Sequence, residues 1–515
     1  MELFAAFGDG FARLLSPSIL LALLGGTLFG WVFGILPGLG PLNAMAIALP
    51  LSFWWHPVIG MYFFAGIMGA SSQGGAITSI LLRMPGTPQN AATMFDGHPL
   101  ARQGKAGWAL GIAAGASVYG AFFGIFVLLA LIPVFLPVLL AFGPAEKFWL
   151  MIFGLIAMTL AVHADMAKGF VAVGLGVLLT FVGLGGPEFP VERFTFGSTY
   201  LLDGLNLVAA LIGLLVVSES IAYLAQGIKG GRGVGQIVSH SAARHSFLKE
   251  LGAALRGLLV PFRYPGCVVR SSLIGTAIGA IPGVGGVVAQ FISYDAARAA
   301  SNHAEEFGKG SPEGLIAAES AVNAKEGGTL LPTLLFGIPG NAETALLLGA
   351  WQIYGVQPGP YFLERHADLA WALILGLALA NTISSAMTVF TVGATSWVPR
   401  LDTRYLAPSI LVLVAISLIA LRGSVLDLGI GVLAGVLGFA LQRFGYPVIG
   451  TVIGFVLGGA IEQNFYTALQ SARGSYRVFI GSPISVGLFL TSFLVPALVL
   501  FRRFRGRFRG AVTGG

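Results

Sequence analysis

The sequence predicts an all-α polytopic membrane protein made of two inverted repeats, each carrying a broken helix and a re-entrant hairpin. Three observations lead there. Only 10% of the 515 residues are charged while 56% are hydrophobic, against about 25% charged in an ordinary soluble domain. Long runs such as 121–140 and 407–421 are apolar on every face, whereas a membrane barrel alternates apolar and polar residues in short strands. Finally, Pro-Gly breaks recur at matching places in the two halves.

Taken in order, apolar runs fall near 17–36, 41–55, 58–82, 107–140, 145–163, 167–185 and 204–226. They resume near 269–292, 314–337, 341–356, 369–398, 405–422, 424–442, 446–461 and 480–501. A spanning helix needs roughly 20 mostly apolar residues, so about 10–14 membrane segments fit. Several runs are too short or too interrupted to span alone. The one at 314–337 contains Glu319, Lys325 and Glu326 and reads as half of a hairpin that enters and returns, with Lys325 and Glu326 solvated. The N-terminus lacks the basic region and cleavage site of a signal peptide, so the first run is expected to remain as a membrane helix. The single cysteine, Cys267, excludes an internal disulfide and reads as a packing residue.

The repeat divides the chain. Leu36-Pro37-Gly38-Leu39-Gly40 matches Ile281-Pro282-Gly283-Val284-Gly285, and Met84-Pro85-Gly86 matches Ile338-Pro339-Gly340, with Gly74 and Gly328 at equal distances before them. Gly169, Gly185 and Pro187 then fall in register with Gly429, Gly445 and Pro447. The expected organisation is a first membrane repeat over 1–226, a basic cytoplasmic connector over 227–268, a second repeat over 269–479, and an extra C-terminal helix with a basic tail over 480–515. The net charge of +7 concentrates in two places: the connector region (Lys229, Arg232, Arg244, Lys249, Arg256, Arg263 and Arg270) and the tail (Arg502, Arg503, Arg505, Arg507 and Arg509). Beside membrane spans such clusters mark the cytoplasmic side rather than nucleic acid, and the tail suits anionic lipid headgroups. With both clusters inside, an odd number of crossings per repeat plus the unpaired last helix is required. That parity predicts inverted repeats and an external N-terminus.

The breaks are the candidate sites. Proline removes a backbone donor and disfavours helix before it, so 36–41 and 281–286 should interrupt helices and free carbonyl groups. In a bilayer such orphans survive only where protein or a watery cavity satisfies them. Backbone at Pro37, Gly38, Gly40, Pro282, Gly283 and Gly285 is therefore the candidate ligand set for a small cation. In the second pair of breaks, Thr87 reads as the N-cap of a helix beginning at Pro88, and Asn341 as the cap of the helix beginning just after it. Each hairpin would then aim a helix N-terminus, with its partial positive charge, at an anion. The substrate set is Pro85, Gly86, Thr87, Pro339, Gly340 and Asn341, with Asn43 and Asn323 near the breaks as ligands or as interhelical contacts. Glu319 and Asn323 share a helix face, and Asp165 and Asp427 read as interfacial. Two anion-attracting ends and two oxygen-rich breaks point to a cation-coupled anion transporter, with an anion channel or another anion class as the alternatives. The chain carries no P-loop, H-E-x-x-H or G-x-S-x-G motif. Tyr294-Asp295 lacks the partner motif of an intramembrane aspartyl protease, so an enzyme is the least favoured reading. No cofactor and no transition metal are expected.

The stretch from Gly34 to Gly111, with LPGLGP, GGAITSILLRMPGTP and ATMFDGHPLARQGKAGWALG, resembles the first half of the large permease subunit of tripartite tricarboxylate transporters. Residues 273–362, with IGAIPGVGG and GLIAAESAVNAKEGGTLLPTLLFGIPGNAETALLLGAWQIYGVQPGPYF, resemble the second half, and FTFGSTYLLDGL at 194–205 also fits. The sequence departs from the family pattern at Asn43, Gln73, Val322, Lys325-Glu326 and Asn341. The resemblance implies a multi-pass secondary transporter of the bacterial inner membrane, driven by an ion gradient, usually Na⁺. It also implies citrate-like or other carboxylate substrates, a periplasmic solute-binding protein and a separate small membrane subunit as partners.

Overall fold

The computed structural model describes residues 2–36, 40–52, 55–162, 166–185, 191–229, 247–282, 285–356, 359, 362–392, 406–494 and 496–497. In chain order the helices are α1 (Glu2–Leu14), α2 (Pro17–Ile35), α3 (Gly40–Leu51), α4 (Pro57–Leu82), α5 (Thr93–Arg102), α6 (Ala106–Leu140) and α7 (Pro144–Val162). Next come α8 (Met166–Leu179), α9 (Leu207–Ile212), α10 (Ser218–Lys229), α11 (Phe247–Leu258), α12 (Pro265–Gly279), α13 (Gly285–Ala300) and α14 (Pro312–Phe336). The last are α15 (Ala342–Ile353), α16 (Phe362–Arg365), α17 (Ala367–Phe390), α18 (Leu406–Arg422), α19 (Val425–Arg443) and α20 (Val448–Ser471), with α21 (Pro483–Leu494) after them. Five described helices are long and apolar enough to cross a membrane: Pro17–Ile35, Ala106–Phe135, Ala367–Phe390, Val425–Arg443 and Val448–Ser471. Large apolar side chains such as Leu21, Leu28, Phe126 and Leu433 point outward from them. In water that would be costly, but against acyl chains it is the low-energy arrangement, and the protein is an all-α polytopic membrane protein.

The chain forms two compact units, Met1–Val134 with Val208–Ala440, and Phe135–Leu207 with Leu441–Gly515. In the first, one packing device recurs. Gly26, Gly30 and Gly34 of α2 lie against the backbone of Phe63, Ile67 and Ser71 on α4, too close for any Cβ, and Gly74 of α4 lies likewise against Trp31. In the second half Gly275 and Gly279 of α12 lie against the backbone of Ala321 and Lys325 on α14, and Gly328 of α14 against Thr276. In a bilayer apolar burial gives helices no reason to associate, so close backbone approach through small residues supplies the contact. Gly120 and Gly124 of α6 repeat the device against Ser320 and Ala324, so α14 is clasped on two sides. The core of this unit runs from Trp31 and Ile35 through Ile77 and Ile80 to Cys267, Tyr294 and Leu315–Ala318. Cys267 is buried, as its packing role requires.

Within the connector, 230–246 lie outside the described residues, and α11 lays Ala254 and Leu258 against Gly111 and Gly115 of α6. Asp165, Pro187 and the arginines of the tail are also outside the described residues. Asp427, at the end of its apolar run, lies in the first turn of α19 and is enclosed by protein there.

The second unit holds α7, α8, α20 and α21 with a short antiparallel pairing of Gly183–Leu184 and Glu192–Arg193. Here α8 and α20 meet through Gly176 and Gly454, and Thr451 Oγ1 donates to Ala172 O at 2.9 Å. Arg193 donates twice to Glu462, at 2.6 and 3.2 Å.

Candidate functional site

All of the described candidate residues lie in the first unit. Pro37, Gly38 and Gly283 are outside the described residues, which do include Gly40 and Gly285 as the first residues of α3 and α13. Both adopt positive φ, +60° and +72°, a conformation glycine takes without the Cβ penalty. The two breaks therefore end in the same way. Pro282 stands in the turn before α13, and Asn43 is buried in the first turn of α3.

The first hairpin turns after α4 with Arg83 in the left-handed region, φ 54° and ψ 33°. Pro85 is half-buried and Gly86 buried. A Cβ on Gly86 would meet Gly34 O and stand 2.6 Å from Thr78 Oγ1, so the tip rests on the last turn of α2. Thr87 does not cap an α-helix. The residues after it form a single 3-10 turn, Pro88–Asn90, and α5 begins only at Thr93. The reason is local: Thr87 Oγ1 donates to Asn90 Oδ1 at 2.6 Å and does not turn to the backbone donors.

The second hairpin is capped as expected. Gly337 takes the left-handed position at the end of α14, and Gly340 packs on Thr329, with buried Pro339 before it. Asn341 Oδ1 accepts from Thr344 N at 2.8 Å, while Asn341 N donates to Thr344 Oγ1 at 3.0 Å. This reciprocal capping box satisfies two donors of the first turn. The Nδ2 group of Asn341 is buried and has no partner among the described residues. Asn323 is buried and donates to Glu319 O, one turn back on its own helix, at 2.9 Å.

Between the hairpins lies a charged cluster. Lys325 and Glu326 are not solvated: they are 0% and 6% exposed, joined Nζ to Oε1 at 2.6 Å. Their solvated reading fails because charge alone does not report what other elements close over a helix face. Gln89, from the 3-10 turn, donates to Glu343 Oε1 at 2.8 Å, tying the tip of the first hairpin to the first turn of α15. Glu343 is 6% exposed and acts electrostatically on both Lys325 and Glu326. The second residue of α13, Gly286, completes the enclosure. A Cβ there would stand 2.6 Å from Lys325 Cε and 2.8 Å from Gln89 Oε1. Glu326 Oε2 and Gln89 Oε1 are buried without partners among the described residues. Both hairpin tips, α14 and the start of α13 thus converge on one point.

Nearly two turns earlier on α14, Glu319 is fully buried and accepts from Thr93 Oγ1, Asn90 Nδ2 and Ser117 Oγ. Gln290 of α13 joins this network by donating to Thr93 Oγ1 at 2.9 Å and accepting from Ala92 N at 2.7 Å. Tyr294, read beside Asp295, donates instead to Asp96 Oδ2 at 2.7 Å, while Asp295 is exposed. Sequence reasoning passed over Gln89 and Glu343 and left Glu319 ambiguous. The available signal was the general one that an ionisable residue inside an apolar segment marks function.

The fold is therefore that of a multi-pass membrane protein in which the turns after α4 and α14 meet at a buried charged cluster. The chain belongs to the tripartite tricarboxylate transporter TctA family, whose pattern it matches over residues 20–453. It is 32% identical over 509 residues, covering 98% of each chain, to an uncharacterized 52.8 kDa protein in the TAR-I ttuC' 3' region of Agrobacterium vitis. An uncharacterized protein in the TAR-II ttuC' 3' region of the same organism is 31% identical over 235 residues, 45% of this chain and 96% of that one. No solved structure matches the chain.

Proposed function

We propose that the chain is the large permease subunit of a secondary, Na⁺-coupled uptake system of the bacterial inner membrane. It takes tricarboxylates or related carboxylates from a periplasmic solute-binding protein and works with a small membrane subunit. The observation that carries the anion reading is Asn341: a buried Nδ2 donor without a partner among the described residues, at the N-terminus of a 12-residue helix. An unpaired buried donor is costly, and at a helix N-terminus the complement it lacks is an acceptor such as a carboxylate. The first hairpin reaches the same helix N-terminus through Gln89, which donates to Glu343 of α15 at 2.8 Å, and this supports placing Pro85, Gly86 and Thr87 on the other side of the substrate.

In this reading the substrate lies between the tips near the bilayer midplane. Backbone around Pro37–Gly40 and Pro282–Gly285 holds cations, and the two inverted repeats alternate access by moving one substructure against another. The twofold glycine packing of α2 on α4 and of α12 on α14 supports a repeat. The test is uptake by the reconstituted three-component complex against mono-, di- and tricarboxylates, with and without a Na⁺ gradient. Gradient-dependent carboxylate accumulation is expected, with loss in Gly38→Val and Gly283→Val despite normal membrane insertion. Uptake of neutral solutes alone, or conductance without coupling, refutes the proposal. Labelling of a cysteine introduced at position 2 only from the cytoplasmic side refutes the external N-terminus.

A further inference from the structure

The charged cluster has a sign and a surplus. Glu326 and Glu343 bring two carboxylates and Lys325 one ammonium, all three enclosed. Lys325 bonds one oxygen of Glu326 at 2.6 Å; with both carboxyls ionised, one negative charge is left to be met inside the protein. A buried charge is strongly disfavoured unless paired. The cluster's unpartnered atoms, Glu326 Oε2 and Gln89 Oε1, are both acceptors, and both are shut off from solvent. Gln89 cannot turn its amide nitrogen to the gap without giving up the 2.8 Å bond to Glu343. Acceptors without donors, all of them oxygen, match a hard cation. A second anion at that point would add to the surplus.

We infer that Gln89, Glu326 and Glu343 form a side-chain site for one sodium ion at the junction of the hairpin tips, with Lys325 neutralising one of its two carboxylates. The site is distinct from the backbone carbonyls of the breaks, although Gly286 brings the start of α13 to its edge. It rests on the transporter reading only for its purpose: the bound cation would offset the surplus charge that otherwise repels an incoming carboxylate. Loading of the ion and entry of the substrate are then linked electrostatically, across a space both hairpins border.

The test is equilibrium binding of ²²Na⁺ alone to the purified full-length chain, in wild type and in Glu343→Gln, Glu326→Gln and Gln89→Leu. Glu343→Gln keeps an acceptor for Gln89 and leaves the Lys325–Glu326 pair intact. Wild type is expected to bind sodium saturably, and each variant to weaken one bound ion by roughly 10–100-fold. Where Glu326→Gln fails to fold because Lys325 loses its partner, the double variant Lys325→Met/Glu326→Gln removes the pair as a unit and should show the same loss. Saturable sodium binding that is unchanged in Glu343→Gln and in the double variant overturns the inference, as does a wild type that binds none. No carboxylate is present, so this failure is separable from failure of the proposed function. Sodium bound at the cluster by a complex that moves no carboxylate would leave the site standing and remove the carboxylate proposal.

Discussion

Asp96 offers the sharpest test of how the two halves are held together. Its Oδ1 accepts from Gly310 N at 2.9 Å and Ser311 N at 2.8 Å, and its Oδ2 from Tyr294 at 2.7 Å. One carboxylate from α5 thus ties the start of α14 to α13. Asp96→Ala removes the acceptor of all three donors. Ser311 and Tyr294 are 1% and 6% exposed, and an orphaned buried donor costs about 1–3 kcal/mol. Gly310 is nearer the surface and adds less, so the loss should come to about 3–5 kcal/mol. Tyr294→Phe removes one bond of the three and should cost about 1–2 kcal/mol. Asp96→Asn keeps one acceptor oxygen but points an amide donor at other donors, and should fall between. The sole cysteine supplies the assay. Cys267 is buried and its Sγ lies 3.6 Å from Glu313 O in the first turn of α14, so a thiol-reactive fluorogenic maleimide reports when this end of the helix opens. Thermal unfolding followed by that dye should give the order wild type, Tyr294→Phe, Asp96→Asn, Asp96→Ala. A wild-type melting curve for Asp96→Ala, or a Tyr294→Phe variant as damaged as Asp96→Ala, would refute the assignment.

Three further outcomes concern the packing and the caps. Gly279→Ala places a methyl group against the backbone of Lys325, so α12 must retreat from α14; about 1–3 kcal/mol of stability should be lost, and transport should fall further than stability, measured as uptake per folded protein. Gly337→Ala forces a Cβ into the left-handed position that ends α14, φ 66°, at about 1–2 kcal/mol. The reverse change at the matching turn, Arg83→Gly, should leave the melting temperature unchanged or raise it. Asn341→Ala breaks the capping box and should cost about 1 kcal/mol with a raised KM for substrate. Asn341→Ser retains a capping oxygen and should restore stability but not KM, because it does not restore the Nδ2 donor; equal KM values in Asn341→Ser and wild type would remove Asn341 from substrate binding.

Much of this molecule is legible in its residues alone. Scarce charge and long all-apolar runs require a bilayer, since no water-facing surface can be built from them. The Pro-Gly pairs mark helix interruptions because proline and glycine act on their own backbone. Asn341 caps its helix as expected for the same reason: a capping box involves residues three apart, and nothing distant competes for them. Thr87 had the same local credentials and failed, because Asn90, also three residues on, offered its hydroxyl a side-chain acceptor.

The cluster of Lys325, Glu326, Glu343 and Gln89 belongs to the other category. In sequence, Lys325 and Glu326 are ordinary neighbouring charges and fit a solvated surface. They are buried because Gly286 of α13, the 3-10 turn of the first hairpin and the start of α15 close around one point of α14, from segments up to 254 positions apart. The role of Glu319 was undecided for the same reason, its donors standing more than 200 residues away. Local conformation depends on interactions within a turn of the chain, which spacing reveals. Burial and the surplus charge of a site are sums over whatever the fold brings together, and only the tertiary structure performs that sum.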